Sequence, residues 1–491
     1  MRDDDLRTIL TTANPWWRAS VTGSNPTAWI HANRLLKDRN KYDLGYRSPV
    51  LNDLKTAPIG DDLILLTGPR RIGKSVALLE LAETLCGRSD LDSRQIIHVY
   101  CDTLASRDIQ RIITLARDMT KSIDRPTPRR RVWLLDEVTS VFNWSSILKV
   151  ARDQSIFGDD LVIVAGSRWS DTGEARANLS VGRVGTSNVR RSRHVLPMSF
   201  RDFLKVTSPQ LALPTVVHPS DLQSVGVRNE LESLAFEIEA YDLAWQSYLT
   251  CGGFPRAVYE YDHDGGVSLA FSKDLAEWIR TDLDASASQE SVPLLLAELV
   301  VRAASPLNIT NTAQVLGYSS TDTFRRRLQK LESIFAAVKC PHRNDMGRVL
   351  AGSHHKLYLM DPLLAWIPGH LRSGLKSPNM TVLSEMAVGV ALARTIESLE
   401  EGRLMDSDTI GFTRTNTAGQ EIDLSPVLLP TTDGASVSVP IESKWVDDGW
   451  RREAKVIEAK YQRGILATKS LLDLNNSSWA VPAPLLVLLL G

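Results

Sequence analysis

The segment Gly68–Ser75 constrains the fold of this chain more than any other. Its residues, Gly-Pro-Arg-Arg-Ile-Gly-Lys-Ser, match the pattern GxxxxGK[ST] in full. The apolar run 63–67 precedes it, and a stretch of good helix formers begins at Val76. A strand, a glycine-containing loop and a helix in this order direct backbone N–H groups and the helix N-terminus toward a phosphate. The segment therefore predicts a nucleotide-binding loop at the edge of a parallel β-sheet.

The residues of this loop have separate expected roles toward ATP and Mg²⁺. Its glycines let the backbone wrap the phosphates, because they carry no side chain. We expect the Lys74 ammonium to neutralise charge on the β- and γ-phosphates and the Ser75 hydroxyl to bind Mg²⁺. The predicted nucleotide-binding residues of this segment are Gly68, Pro69, Arg70, Arg71, Ile72, Gly73, Lys74, Ser75 and Val76.

A pair of acids follows another apolar run, residues 132–135. Asp136 and Glu137 are then expected at the carboxyl edge of the sheet, where ligands of α/β folds bind. Asp136 would hold Mg²⁺ through water, and Glu137 would orient or deprotonate the attacking water. The alternative for an isolated Asp-Glu pair is a helix N-cap, but the phosphate loop upstream favours catalysis.

Two further residues are expected near the γ-phosphate. The apolar run 161–165 ends in Gly166-Ser167, which places Ser167 at a strand tip as a candidate sensor. Arg183 lies in a short predicted loop and is a candidate arginine finger acting in trans, which would require a homo-oligomer. The alternative is a surface arginine beside the basic run 190–193.

Composition excludes several classes of protein. The 491 residues carry 57 Lys and Arg against 58 Asp and Glu, a net charge of -1, so a uniformly basic nucleic-acid coat is excluded. Four widely spaced cysteines indicate reduced thiols in a cytoplasmic protein. The apolar run Trp479–Gly491 is too short to cross a bilayer, so we expect a buried final strand and no membrane partner.

Hydrophobic patterning indicates an α/β chain of several domains. Short apolar runs alternate with helical patterns between Asp61 and Leu204, which indicates strands buried on both faces of a parallel sheet. A mainly helical stretch follows, and an α/β pattern returns near the C-terminus. The predicted division is an N-terminal extension at 1–50, an ATPase core at 51–205, a helical lid at 206–285, a winged helix at 286–370 and an α/β domain at 381–491.

Residues 309–332 show the pattern of a helix-turn-helix. A short helix, a turn at Gly317 and a second helix capped by Ser320 or Thr321 are expected. The apolar residues of the second helix share one face, whereas Arg325, Arg326 and Lys330 project elsewhere and could contact DNA. A wing could follow in residues 336–340 and 355–360. The alternative is that these cations form a solvated face and that the unit only joins domains.

The C-terminal region contains a D…ExK pattern. In residues 437–445 alternation predicts one strand that carries Glu442 and Lys444 on the same face, and a hairpin could bring Asp423 beside them. Two carboxylates and a lysine can hold Mg²⁺ and generate a hydroxide for nucleic-acid cleavage. Glu385, on a predicted helix, resembles the extra acid that some nucleases carry. The alternative is a nuclease-derived fold kept for packing or binding.

Five motifs in order resemble the AAA-type bacterial and archaeal ATPases that carry a C-terminal nuclease-like domain. The motifs are Asn14-Pro-Trp-Trp17, the phosphate loop, Gly166-Ser167, Leu196–Phe203 and Gly252-Gly-Phe-Pro255. The resemblance implies an AAA+-like P-loop NTPase core with a parallel sheet, a helical lid, a winged helix and a PD-(D/E)xK, restriction-endonuclease-like α/β domain. It also implies that Pro255 contacts the nucleotide from the lid.

These observations predict an ATP-binding and ATP-hydrolysing protein. Its nucleotide state would control DNA binding and metal-dependent cleavage, in genome maintenance or in defence against foreign DNA. One alternative is a nucleotide-switched regulator that binds DNA or protein and has an inactive nuclease-like domain. Another is a protein-remodelling or signalling ATPase that contacts no nucleic acid.

Overall fold

The computed structural model describes residues 1–168, 190–344, 346–350, 352, 354–375, 377–406, 409–415 and 420–491. These residues form two compact units, Met1–Leu196 and Pro197–Gly491.

The first unit is built on a five-stranded parallel sheet in the order β2-β3-β4-β1-β5. Its strands are β1 Leu63–Thr67, β2 Ile96–Tyr100, β3 Val132–Asp136, β4 Leu161–Gly166 and β5 Ser192–His194. The first four strands coincide with the apolar runs of the sequence, and almost all of their residues are buried. This confirms the predicted α/β core, because a parallel sheet is normally covered on both faces.

Helices surround this sheet within the described part of the unit. They are α1 Asp3–Ala13, α2 Trp17–Thr22, α3 Pro26–His31, α4 Arg34–Asn40, α5 Asn52–Thr56, α6 Lys74–Cys86, α7 Ser106–Met119 and α8 Trp144–Asp153. Helix α6 begins directly after the phosphate loop, and α1, α3 and α4 pack against sheet and helices of the core.

The N-terminal residues cover the outer edge of β2. The Asn14 side chain accepts a hydrogen bond from the His98 N–H at 2.6 Å and donates one to the His98 carbonyl at 2.8 Å. The indole N–H groups of Trp16 and Trp17 both donate to the Ile96 carbonyl, at 3.0 and 2.9 Å. An uncovered edge strand would present these backbone groups to solvent. Residues 1–50 are therefore packed onto the core, although their sequence suggested only an extension.

The second unit contains twelve helices among its described residues. They are α9 Phe200–Thr207, α10 Val225–Leu234, α11 Ile238–Cys251, α12 Pro255–Asp264, α13 Leu269–Asp284, α14 Ser291–Arg302, α15 Ile309–Val315, α16 Thr321–Ser333, α17 Leu363–Leu371, α18 Met380–Leu399, α19 Trp450–Tyr461 and α20 Ala483–Leu490. The stretch that was predicted to be a helical lid is thus helical.

The strands of the second unit form three small sheets. They are β6 Ala337–Arg343, β7 His355–Leu359, β8 Phe412–Arg414, β9 Glu421–Ile422, β10 Leu428–Thr431, β11 Gly434–Val437, β12 Ile441–Ser443, β13 Gly464–Thr468 and β14 Ser478–Pro482. Strands β12, β13 and β14 pair in parallel, β10 and β11 form a hairpin, and β7-β6-β8-β9 form a mixed sheet. The parallel pairing of β6 with β8 joins the 337–359 hairpin to the C-terminal strands.

Two strand predictions for this unit are wrong in detail. The single strand expected over 437–445 is divided into β11 and β12, because Pro440 lies between them and has no N–H for a sheet ladder. The final apolar run is not one strand, since β14 ends at Pro482 and α20 follows. A short, wholly apolar run does not reveal by its periodicity whether it forms a strand or a helix.

None of the helices among the described residues combines the length and the apolar character needed to cross a membrane. All four cysteines lie in described segments, and all are buried as free thiols.

Candidate functional site

The phosphate loop requires glycine at two positions, because its backbone has positive φ angles there. Gly68 has a φ of +153°, and a Cβ at this position would lie 2.0 Å from the carbonyl oxygen of Val195. Gly73 adopts a φ of +100° and caps the start of α6. Both conformations favour glycine over residues with a side chain. The two glycines of the motif are therefore fixed by the path of the loop from β1 into α6.

Lys74 is buried at the centre of this loop. Its Nζ donates hydrogen bonds to the carbonyl oxygens of Gly68, at 3.0 Å, and Pro69, at 2.9 Å. Only 4% of the residue is exposed. The loop thus encloses a positive charge at the N-terminus of a thirteen-residue helix, and both features attract an anion.

Ser75 and Asp136 meet beside this lysine. Asp136 ends β3, and the Ser75 hydroxyl hydrogen-bonds to its carboxylate. Burial raises the pKa of Asp136, although the bond to Ser75 and the charge of Lys74 oppose the shift. The Asp136 Oδ2 atom is buried and has no hydrogen-bond partner among the described residues. A hydroxyl beside a carboxylate with a free oxygen suits Mg²⁺, which prefers oxygen ligands.

Glu137 follows Asp136 in an unusual conformation. Its φ of +51° lies in the left-handed region, which costs a residue other than glycine about 1 kcal/mol or more. The Glu137 N–H donates to Asp136 Oδ1 at 3.0 Å and so holds this turn. The turn places Glu137 just beyond the strand end, next to the residue that would face Mg²⁺.

Ser167 follows the end of β4, and His98 lies in the middle of β2; these two strands flank β3 in the sheet. Ser167 follows β4, which lies between β3 and β1, and its N–H donates to Thr139 Oγ1 at 3.3 Å. His98 on β2 was not identified from the sequence, and its Nε2 is 4.0 Å from Asp136 Oδ2. Burial lowers the pKa of His98 to about 4, so the imidazole is neutral at neutral pH and adds no positive charge beside Asp136.

Arg183 and Pro255 are the other two predicted nucleotide contacts. Arg183 is outside the described residues. Pro255 is the first residue of α12 in the second unit. The turn before it is held by two hydrogen bonds of Gly253: its N–H donates to Asp361 Oδ2, and its carbonyl accepts from the Met198 N–H, both at 2.7 Å.

The second unit brings the predicted C-terminal acids together. Leu424 and Ile441 form an antiparallel bridge, which aligns the chain after β9 with β12. The Asp423 N–H donates to Glu442 Oε2 at 3.0 Å, and the Ser443 N–H donates to Asp423 Oδ2 at 3.0 Å. Lys444 Nζ lies 2.9 Å from Glu442 Oε1.

A buried lysine and a tyrosine complete what we call the lysine–carboxylate cluster. Lys356 Nζ donates to Glu385 Oε1 at 3.0 Å and to Asp423 Oδ1 at 2.7 Å. The Tyr358 hydroxyl donates to the same Glu385 oxygen at 2.8 Å. The cluster is defined as Lys356, Tyr358, Glu385, Asp423, Glu442 and Lys444.

The two residues from β7 were missed at the level of sequence. Lys356 and Tyr358 are two positions apart in the strand and therefore share a face. A lysine inside an otherwise apolar strand was the available signal, but nothing in the sequence pairs it with acids that lie 29 and 67 residues away.

Burial and charge act in opposite directions on the carboxyl groups of this cluster. Burial, reinforced by the charge of Asp423, raises the pKa of Glu385 to about 7 and that of Glu442 to about 8. Asp423 is also buried, but the nearby Lys356 and Lys444 outweigh the effect of burial and lower its pKa. Asp423 is therefore the carboxylate of the group that stays ionised most readily.

The first unit thus has the site of a P-loop NTPase: a buried lysine in a glycine-bounded loop, a Ser–Asp pair beside it and an acid at the next position. Residues 60–204 match a family model described as an AAA domain. This part of the chain is therefore an AAA-type ATPase domain. Residues 242–367 match a second model, described as a domain of unknown function (DUF8612).

Comparison with whole proteins gives more distant similarities. The Walker-type ATPase PABY2304 of Pyrococcus abyssi aligns with 69% of this chain and 97% of its own, at 14% identity and a TM-score of 0.37. A RuvB variant from Thermotoga maritima aligns with 64% of this chain and 91% of its own, at 15% identity and a TM-score of 0.28. No curated protein matches the chain.

Proposed function

We propose that the protein binds and hydrolyses ATP with Mg²⁺ in its first unit and that the nucleotide state controls nucleic-acid binding by its second unit. The observation that carries the ATPase part is the meeting of Lys74, Ser75 and Asp136 at one edge of the parallel sheet. Lys74 would bind the β- and γ-phosphates, while Ser75 and Asp136 would hold the metal. The metal would neutralise charge that develops on the phosphates.

Three other residues have proposed roles in the same reaction. Glu137 would orient the attacking water, and Ser167 would sense the γ-phosphate from the adjacent strand end. Arg183 would act in trans, which requires a homo-oligomer, and Pro255 would contact the nucleotide from the helical lid. These roles rest on sequence position and on the family resemblance.

The second unit has a candidate nucleic-acid interface in α15 and α16. The helices are joined by a turn in which Gly317 has a φ of +72°, and the Ser320 side chain caps α16 by accepting from the Asp322 N–H. The β6–β7 hairpin follows, as a wing follows the second helix of a winged helix. We propose that the exposed face of α16 lies on DNA.

The cations of α16 divide into two groups. Arg327 pairs with Asp284 at 2.7 Å, and Lys330 donates to the Leu283 carbonyl at 2.7 Å, so both support the packing of α16 on α13. Lys330 is therefore tied to the fold, whereas the sequence had suggested a contact with DNA. Arg325 and Arg326 are exposed and lie off the buried face of α16, and Arg325 pairs with the exposed Asp322 one turn earlier, at 3.1 Å. These two arginines are the proposed phosphate contacts.

The double substitution Arg325→Ala and Arg326→Ala tests this interface. We expect DNA affinity to fall at least about tenfold near 0.1 M salt, and the slope of log K against log salt to fall by about 2, because two phosphate contacts are lost. Fluorescence anisotropy with a labelled duplex measures both quantities. Arg451 and Arg452 are two consecutive exposed arginines on another helix, α19, and their double substitution by alanine is the matched control.

The DNA-binding measurement also distinguishes the proposed function from that of a protein-remodelling or signalling ATPase that contacts no nucleic acid. Such a protein would show no salt-dependent binding to any duplex or single strand at low-micromolar concentration. The proposal further requires that affinity for DNA differ between the ATP-bound and ADP-bound protein.

Cleavage of the bound nucleic acid is a second candidate function, and one observation favours it. Glu442 accepts from the Asp423 backbone N–H and lies 2.9 Å from Lys444 Nζ, so the three residues lie close together, as a nuclease site would need. Incubation with plasmid, ATP and Mg²⁺ tests the idea: cleavage by wild type that is lost in Asp423→Ala and in Glu442→Ala would support it. If the wild-type protein cleaves no DNA or RNA substrate, cleavage is excluded and nucleic-acid binding stays the proposed function of the second unit.

A further inference from the structure

The lysine–carboxylate cluster already contains a cation between two of its acids. We propose that the Lys356 ammonium takes the place that a divalent metal would occupy between Glu385 and Asp423, so that the cluster is complete without a metal. Under this proposal the nuclease-like part of the chain is held together by a buried ion network and does not cut. The inference does not depend on whether the first unit hydrolyses ATP.

The hydrogen bonds of the three carboxylates support this proposal. Five of their six oxygens accept from donors of the protein itself: Glu385 Oε1, both Asp423 oxygens and both Glu442 oxygens. In a site built for Mg²⁺, at least some of these oxygens would be left for a cation at about 2.1 Å. Among the described residues no group of three or more His, Cys, Asp or Glu side chains is arranged to hold a metal ion.

Lys356 is also fixed in place. Its side chain is 1% exposed, and its residue pairs with Cys340 across the β6–β7 ladder. The ammonium lies 5.5 Å from the centre of the Phe412 ring, within the range of a cation–π contact.

Electrostatics then disfavours a metal at the same position. A divalent ion bound by Glu385 and Asp423 would stand within a few ångströms of a buried positive charge, and repulsion at low dielectric is strong. Removal of Lys356 would in turn leave Glu385 and Asp423 buried without the cation that hydrogen-bonds to both, and Lys444 would be the remaining positive charge nearby. A buried ion pair that loses one partner is strongly destabilised.

The lysine–carboxylate cluster joins two parts of the second unit, because Lys356 and its acid partners lie on different elements. The lysine belongs to the hairpin that follows α16, whereas Glu385 and Asp423 belong to α18 and to the chain after β9. The ion network therefore connects the proposed DNA-binding part of the second unit with its C-terminal α/β part. Strand pairing between β6 and β8 connects the same two parts through the backbone.

Metal binding to the full-length protein tests the proposal directly. We expect Mn²⁺ titrations of the nucleotide-free protein, followed by electron paramagnetic resonance, to give the same result for wild type and for Asp423→Asn. A wild-type Mn²⁺ site that disappears in Asp423→Asn or in Glu442→Gln would overturn the proposal. This comparison stays decisive even if substitution of the lysine prevents folding.

Substitution of the lysine gives the second measurement. We expect Lys356→Met to lower the melting temperature by on the order of 10 °C, and Mn²⁺ to restore part of that loss by binding the carboxylate oxygens of Glu385 and Asp423 that have lost the lysine. Lys455→Met is the matched control, because Lys455 is exposed on α19, and it should melt like wild type with and without Mn²⁺. A Lys356→Met protein that also melts like wild type under both conditions would overturn the proposal.

Discussion

Replacement of Lys74 by Ala is expected to abolish ATP binding at micromolar nucleotide. The ammonium is buried in the loop and donates to two of its carbonyl oxygens, so it lies within the loop that would hold the phosphates. Loss of one partner from a buried, hydrogen-bonded charge pair costs about 2–5 kcal/mol, which corresponds to a loss of affinity between about 30-fold and several thousandfold. Isothermal titration calorimetry with ATP and Mg²⁺ measures the change.

The control for this prediction is Lys121→Ala. Lys121 belongs to the same unit but is exposed, so its loss should leave ATP affinity within about twofold. A Lys74→Ala protein that binds and hydrolyses ATP like wild type would show that the loop is not the nucleotide site.

Replacement of Glu137 by Gln is expected to separate binding from hydrolysis. Glutamine keeps the size of the side chain but cannot accept a proton from water. General-base catalysis contributes about 10²–10⁴-fold to a rate, so phosphate release should fall by at least about 10² while bound ATP is retained. Measurement of phosphate release and of nucleotide retained after gel filtration gives both quantities.

The matched control is Asp118→Asn, an exposed carboxylate on α7 that pairs with Arg7. It should leave the rate within about twofold. If Glu137→Gln hydrolysed ATP at the wild-type rate, the base would have to be another residue.

The sheet of the first unit was predictable because short, contiguous sequence patterns determine most of its strands. Four apolar runs specified four buried strands, and the motif at Gly68–Ser75 specified the connection from β1 into α6. The fifth strand was not predictable, since Ser192-Arg-His carries no apolar pattern. It is placed by tertiary contacts: parallel pairing with β1 and the ion pair of Arg193 with Asp53, 2.5 Å apart.

The C-terminal site was predictable only in part, because some of its residues are brought together by tertiary contacts that local sequence patterns do not reveal. Alternation indicated that Glu442 and Lys444 share a face, and the hairpin prediction brought Asp423 toward them. Lys356 comes from a different part of the chain, and its choice of partners depends on how β7 packs against α18. Periodicity describes which face a side chain takes, but it does not describe which distant element covers that face.

The cover on β2 has a consequence for assembly. Asn14, Trp16 and Trp17 occupy the backbone groups of Ile96 and His98 that a strand from a second copy would need. Continuous β-structure between neighbouring subunits is therefore blocked along this margin. A homo-oligomer in which Arg183 reaches a neighbouring nucleotide would have to associate through a surface other than this strand edge.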